Sequence, residues 1–194
     1  SHISMRPDLH RERVMAGSVK DRVYGHFSSL IDTRTLVPKA WKTGKFKINP
    51  ISPYALSSFM YTMAGFMILT VFNPSKNYIG NQSVDGALLS FQGFLSYKAD
   101  VLCFGRDSIW HAVDRTVASL LTLYFAASKI AFLGPTDLIF YILTLGFGMI
   151  AFSRSRLARS EEYADFQGYL FWHGVWHTTF PLGFVAWCSY RHSL

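Results

Sequence analysis

Charged residues are scarce in this chain: Asp, Glu, Lys and Arg make up 16% of 194 residues, against roughly 25% in an average soluble domain. Half of the residues are hydrophobic and 16% are aromatic. Because the apolar residues are gathered into long uncharged runs, the composition is that of a membrane protein. Cysteine is almost absent. The two that occur, Cys103 and Cys188, lack metal-site spacing and are expected near opposite faces of a membrane, so they read as small apolar residues and not as a disulfide. Acidic residues are also few, 12 against 19 basic ones, for a formal charge of +7. No groove-binding or stacking motif accompanies that charge, so nucleic acid is not an expected partner.

What the chain does have is a basic N-terminal stretch followed by apolar segments. Ten basic residues precede position 48: Arg6, Arg11, Arg13, Lys20, Arg22, Arg34, Lys39, Lys42, Lys45 and Lys47. The expected organisation is a basic arm over 1–50 and a multi-pass transmembrane domain over 51–194. Five spans are predicted, at 54–72, 86–104, 112–133, 138–153 and 168–190. The first is bounded by Pro53 and Asn73-Pro74. The second carries Lys98 and Asp100. In the third, Lys129 is placed to snorkel, and Gly134-Pro135 ends the helix. The fourth, at about 24 Å, is short for a bilayer. The fold class expected is therefore all-α, an integral membrane bundle of about five transmembrane helices. Arg106 and Arg115 between spans two and three, and Arg154, Arg156 and Arg159 between spans four and five, fall on the same side as the arm, so the positive-inside asymmetry is consistent with an odd count.

The last predicted span holds His173 and His177, four residues apart in Trp172-His-Gly-Val-Trp-His177. That spacing brings two imidazoles together over one helical turn, where they can grip one metal ion. The topology places Ser96, Asp100 and Asp114 in the same layer, within roughly 15 Å of the inner face by the helical rise. Intramembrane ionisable residues face one another or a wet cavity, which makes the layer a functional-site hypothesis. Two imidazoles and a carboxylate suit Zn²⁺ with an open fourth position. On this reading His173, His177 and Asp100 are ligands, with His111 as a substitute for Asp100, Asp114 is the general base and Ser96 donates to an oxyanion. The local alternatives are that Asp114 favours the start of its helix, that Asp100 pairs with Lys98 or Arg106, and that Ser96 bonds its own helix backbone. Axial ligation of haem or chlorophyll ranks lower, because two imidazoles on one turn do not suit bis-axial binding. His2, His10, His26 and His192 read as solvated, and Trp110, Trp172, Trp176 and Trp187 as interfacial belt residues.

Ser96-Tyr-Lys-Ala-Asp100, Asp114-Arg-Thr-Val-Ala118 and His173-Gly-Val-Trp-His177 together resemble the alkaline ceramidase, adiponectin receptor and Per1-like superfamily of membrane hydrolases over most of 86–185. The resemblance implies a zinc-dependent intramembrane hydrolase of lipid amide bonds, with membrane lipids as partners. This chain departs from the family in carrying Asp100 where the second helix has a histidine, and in having five spans instead of seven. Losing one helical hairpin preserves the direction of the last helix. The departures, with a polar arm that has no core of its own, make the leading expectation an accessory subunit of a large organellar membrane complex of respiratory or photosynthetic type, with a vestigial site and an arm lying along neighbouring subunits, and the hydrolase the alternative. The membrane expected is an organellar inner one, mitochondrial before plastid, with the endoplasmic reticulum or Golgi as the alternative.

Overall fold

The structure is a computed structural model in which residues 28, 30–43, 46–72 and 78–194 are described. Among them five α-helices and no strand occur: α1 Pro53–Thr70, α2 Gln82–Tyr97, α3 Ile109–Lys129, α4 Pro135–Ala158 and α5 Phe166–His192. The all-helical expectation holds. Most of the basic arm, including Arg6, Arg11, Arg13, Lys20, Arg22 and Lys45, lies outside the described residues, as do His2, His10 and His26.

Each helix starts where a local acceptor satisfies one of its first backbone N–H groups. The Ser52 side chain accepts from the Ala55 amide ahead of Pro53 at the first helical position, Asn81 accepts from Val84, Ser108 from Trp110 and Asp165 from Gly168. At α4, Pro135 supplies the starting φ and Asp137 Oδ2 accepts from the Gly134 amide at 2.7 Å. These caps explain where the predicted bounds were short. The fourth segment, expected over 138–153, runs over 24 residues because Pro135 and Asp137 start it early and the polar turn through Arg156 continues it. The second ends as α-helix at Tyr97 and passes into one π-helical turn, Lys98–Leu102, before the break at Gly105, whose φ is +70°.

α1 packs along α2 and α5, and α4 along α5. Glycines permit the closest approach: a Cβ on Gly65 would collide with the Gly86 carbonyl and the Ser90 side chain, and one on Gly93 with Thr62. α3 approaches α2 and stands off from α4 and α5. The interior has two apolar clusters. One gathers Trp41, Ile48, Tyr54, Val101 and Tyr169, and the other Ile68, Leu89, Leu121, Phe125 and Trp187. Trp41 belongs to the stretch read from composition as an arm, yet it is 1% exposed, wedged edge-on against Phe166 with ring centroids 5.3 Å apart. Thr35 and Lys39 donate their amides to Asp107 and Glu161, fastening this segment to two interhelical turns.

Polar residues are buried and apolar ones face out. Ser58, Asp85, Gln92, Ser96, Lys129, Asp137, Ser155 and His177 are buried, while Phe66, Phe94, Leu123, Leu143, Phe147 and Phe171 are each more than half exposed. One helix among the described residues, Pro135–Ala158, is long and apolar enough to cross a membrane, with mean hydropathy 1.6 over its most apolar window. Lys129, expected to snorkel, is instead buried. Its Nζ lies 2.6 Å from Asp85 Oδ2 and also donates to the Ile79 carbonyl. Tyr78 and Tyr124 donate to the same carboxylate. Trp187, expected in an interfacial belt, is likewise buried, with Nε1 donating to Asp137, which also receives Arg191.

Candidate metal centre

The polar layer lies between the two apolar clusters. On α5 the four-residue spacing puts His173 and His177 on one face, with ring centroids 4.5 Å apart. Pro181 follows His177 by four residues, so the His177 carbonyl receives no helical N–H from that position. Asp100 sits at the centre of the π turn after α2. Its Oδ2 is 3.2 Å from His173 Nε2 and 3.4 Å from His177 Nε2. One ligand atom from each of the three lies within 4.8 Å of the others, close enough to share one metal ion.

The other face of each imidazole is held as well. Ser155 Oγ on α4 is 3.0 Å from His173 Nδ1, and Ser57 and Ser58 Oγ on α1 are 3.5 and 3.4 Å from His177 Nδ1. Ser57 already donates its hydroxyl proton to the Tyr54 carbonyl at 2.6 Å, so towards His177 it accepts. That acceptor favours the proton on Nδ1 and the lone pair on Nε2. A bare Nε2 lone pair facing a carboxylate oxygen is repulsive unless a cation lies between them. Without one, the alternative tautomer donates Nε2–H to Asp100. The donor set fits zinc on two further counts: zinc takes both imidazole nitrogen and carboxylate oxygen, and atoms about 2.0–2.2 Å from a tetrahedral ion lie about 3.3–3.6 Å apart. Metal-ligating histidines donate their remote ring N–H to an outer acceptor, and here serine hydroxyls stand at that position. Tyr169 stacks on His173 with centroids 5.0 Å apart, and Tyr54 lies nearly parallel to His177, limiting both rings' rotation.

Asp114 enters the layer from the second turn of α3. Its Oδ1 accepts from Ser96 Oγ at 2.7 Å and from Gln92 Nε2 at 2.8 Å. The five residues singled out in the sequence are thus brought to one cavity of about 710 Å³, left where α3 stands off from α4 and α5. The Ser96 proton, assigned in the sequence to an oxyanion, is directed at Asp114. His111 lines the cavity, but its Nε2 is 2.9 Å from the Arg106 carbonyl, and it is not part of the three-residue cluster. Asp100 bonds to the histidines and not to Lys98 or Arg106.

Ser57, Ser58, Ser155, Tyr54 and Gln92 escaped the sequence reading. Serines in apolar helices read as packing residues, and their spacing from the histidines, between 18 and 120 positions, carries no local signal. Only Gln92, one turn before Ser96, shares a helical face with a residue already chosen. No family model, curated protein or solved structure matches this chain.

Proposed function

We propose that the chain is an integral membrane hydrolase of five spans that cleaves lipid amide bonds with a zinc ion held by His173, His177 and Asp100. The observation that carries this reading is Asp100 Oδ2 facing both Nε2 atoms while serine hydroxyls hold both Nδ1 atoms. The membrane reading is supported by the inverted distribution of side chains, with apolar residues outward on every helix and ionisable ones inward. Among the described residues α4 alone meets the length and hydropathy needed for a span by itself. The others carry histidines, serines and buried acids that lower their mean hydropathy and face the interior.

When bound, the ion supplies Lewis-acid chemistry, polarising a carbonyl and making water nucleophilic near neutral pH. Asp114 is the residue positioned to take a proton from the attacking water and return it to the leaving amine, since its Oδ2 has no hydrogen bond among the described residues. Ser96 and Gln92 orient it. Ser96 reaches a developing oxyanion only by rotating its hydroxyl away from Asp114.

The test is metal content together with amide hydrolysis in the purified full chain. About one equivalent of zinc, with release of fatty acid from an N-acyl sphingoid lipid that is lost in His177→Ala, supports the reading. Protein purified without chelators that holds no zinc, takes none up and releases no fatty acid overturns it. That result would favour the accessory-subunit reading, whose arm is mostly outside the described residues and whose described part, from Thr35 to Trp41, packs on its own chain.

A further inference from the structure

Three arginines line the cavity that contains the histidines: Arg115, Arg156 and Arg159. Among the described residues none of them forms an ion pair. The carboxylates nearby are otherwise engaged: Asp100 by the two imidazoles, Asp114 by Ser96 and Gln92, Asp32 by Arg34, and Glu161 by the Lys39 amide. Arg115 donates to the carbonyls of His111, Asp32 and Arg34, which fixes its guanidinium, and leaves Nη1 buried with no partner. Arg156 lies 5.9 Å over the Phe152 ring, its charge unanswered. Three guanidinium groups that form no ion pair can bind an anion, and their planar forks suit phosphate oxygens in particular.

The order of side chains along the cavity adds a second constraint. Descending α4, the lining residues pass from Arg159 and Arg156 to Phe152. Descending α3, they pass from Arg115 to Leu121 and Phe125, about 9 and about 15 Å lower by the helical rise. On α4 the His–Asp cluster meets the level of Ser155, between Arg156 and Phe152, while on α3 Asp114 stands level with Arg115. Cations, then the polar cluster, then an apolar end reproduce the order of parts in an acylated lipid whose headgroup is anionic: phosphate, carbonyl linkage, hydrocarbon chain. We propose that the cavity binds a phosphate-bearing acyl lipid, with the phosphate on Arg156 and Arg159 beside the fixed Arg115, and the chain directed at Leu121 and Phe125. The inference rests on the hydrolase reading only for which bond meets the cluster. Binding itself does not require turnover.

The experiment is equilibrium binding to the full chain in neutral detergent, with dioleoyl phosphatidic acid, dioleoylglycerol and inorganic phosphate as probes. Phosphatidic acid is expected to bind at least about tenfold more tightly than dioleoylglycerol. The Arg156→Gln, Arg159→Gln double variant is expected to erase that preference while keeping dioleoylglycerol affinity, which also reports that the variant is folded. Arg→Lys at both positions is expected to restore part of it. Asp100→Asn is expected to retain the preference, so that a failed hydrolase reading and a failed headgroup site give different results. Equal affinity for the two lipids, or a preference that survives the double glutamine variant, overturns the proposal. Saturable phosphate binding with no gain from the acyl chains also overturns it, by assigning the arginines to a soluble anion.

Discussion

Ser96 Oγ donates to Asp114 Oδ1 across 2.7 Å and thereby ties α2 to α3 at the level of the histidines. Gln92 reinforces the same tie, and Tyr124 and Lys129 bind Asp85 further along the two helices, so α2 sets the height and angle of the one cavity-lining carboxylate outside the three-residue cluster.

Replacing Asp114 by Asn is expected to lower the rate of lipid hydrolysis by about 10²–10⁴ while leaving zinc content unchanged, as befits a proton carrier that is not a ligand. Ser96→Ala should give a smaller loss, because Gln92 still holds the carboxylate. Metal analysis and initial rates on the same preparation check both outcomes. Loss of zinc in Asp114→Asn would move that residue into the ligand set.

For the ligands the expectation is reversed. His173→Ala, His177→Ala and Asp100→Asn should each lose zinc, and Ser155→Ala should weaken its affinity about 10–100-fold by freeing the His173 ring. Competition with a chromophoric chelator measures this. Asp100→His should keep the metal, because an imidazole at that position replaces one zinc donor with another.

Asp85 and Lys129 form a buried pair, with side chains 0% and 6% exposed. Removing one partner leaves a buried charge, so Asp85→Asn or Lys129→Met should each destabilise by about 3–5 kcal/mol. The double variant should cost less than the sum of the two. Reversible unfolding in mixed micelles gives the four values of the cycle, and strict additivity would show that the pair is not coupled.

The α1–α2 contact depends on missing side chains. Gly65→Ala and Gly93→Ala force a methyl group into backbone or side-chain atoms of the other helix and should cost about 1–3 kcal/mol each. Gly146 on α4 has open space where a Cβ would go, so Gly146→Ala should be neutral or stabilising by up to about 1 kcal/mol. Melting temperatures of the three variants decide the matter.

The histidine pair, the serine and both aspartates were legible because each stands out chemically inside an apolar run, and because helical spacing is a local property. The partner of Lys129 was not legible. A lysine near a helix end looks alike whether it reaches water or a carboxylate 44 residues away, and nothing in its neighbours marks Asp85 as the acceptor. Trp41 was missed for a related reason: one aromatic residue in a polar stretch has no periodicity, so its place in the core follows only from the closing of the chain upon Phe166 and Tyr169. The start of α4 was set late because hydropathy begins at Leu138, whereas the helix begins with the cap.

In a regular α-helix Ser96 and Asp100, four apart, would stand on one face and point at the same neighbour. The π turn at Lys98–Leu102 winds more residues into a turn, and the two side chains part: Ser96 meets Asp114 on α3, and Asp100 meets His173 on α5. What this stretch encodes is therefore a count as much as a composition. Many point substitutions at the outward positions of 98–102 should be tolerated, but deleting a single residue there would rewind the turn and swing the carboxylate off the histidines with every site residue still present.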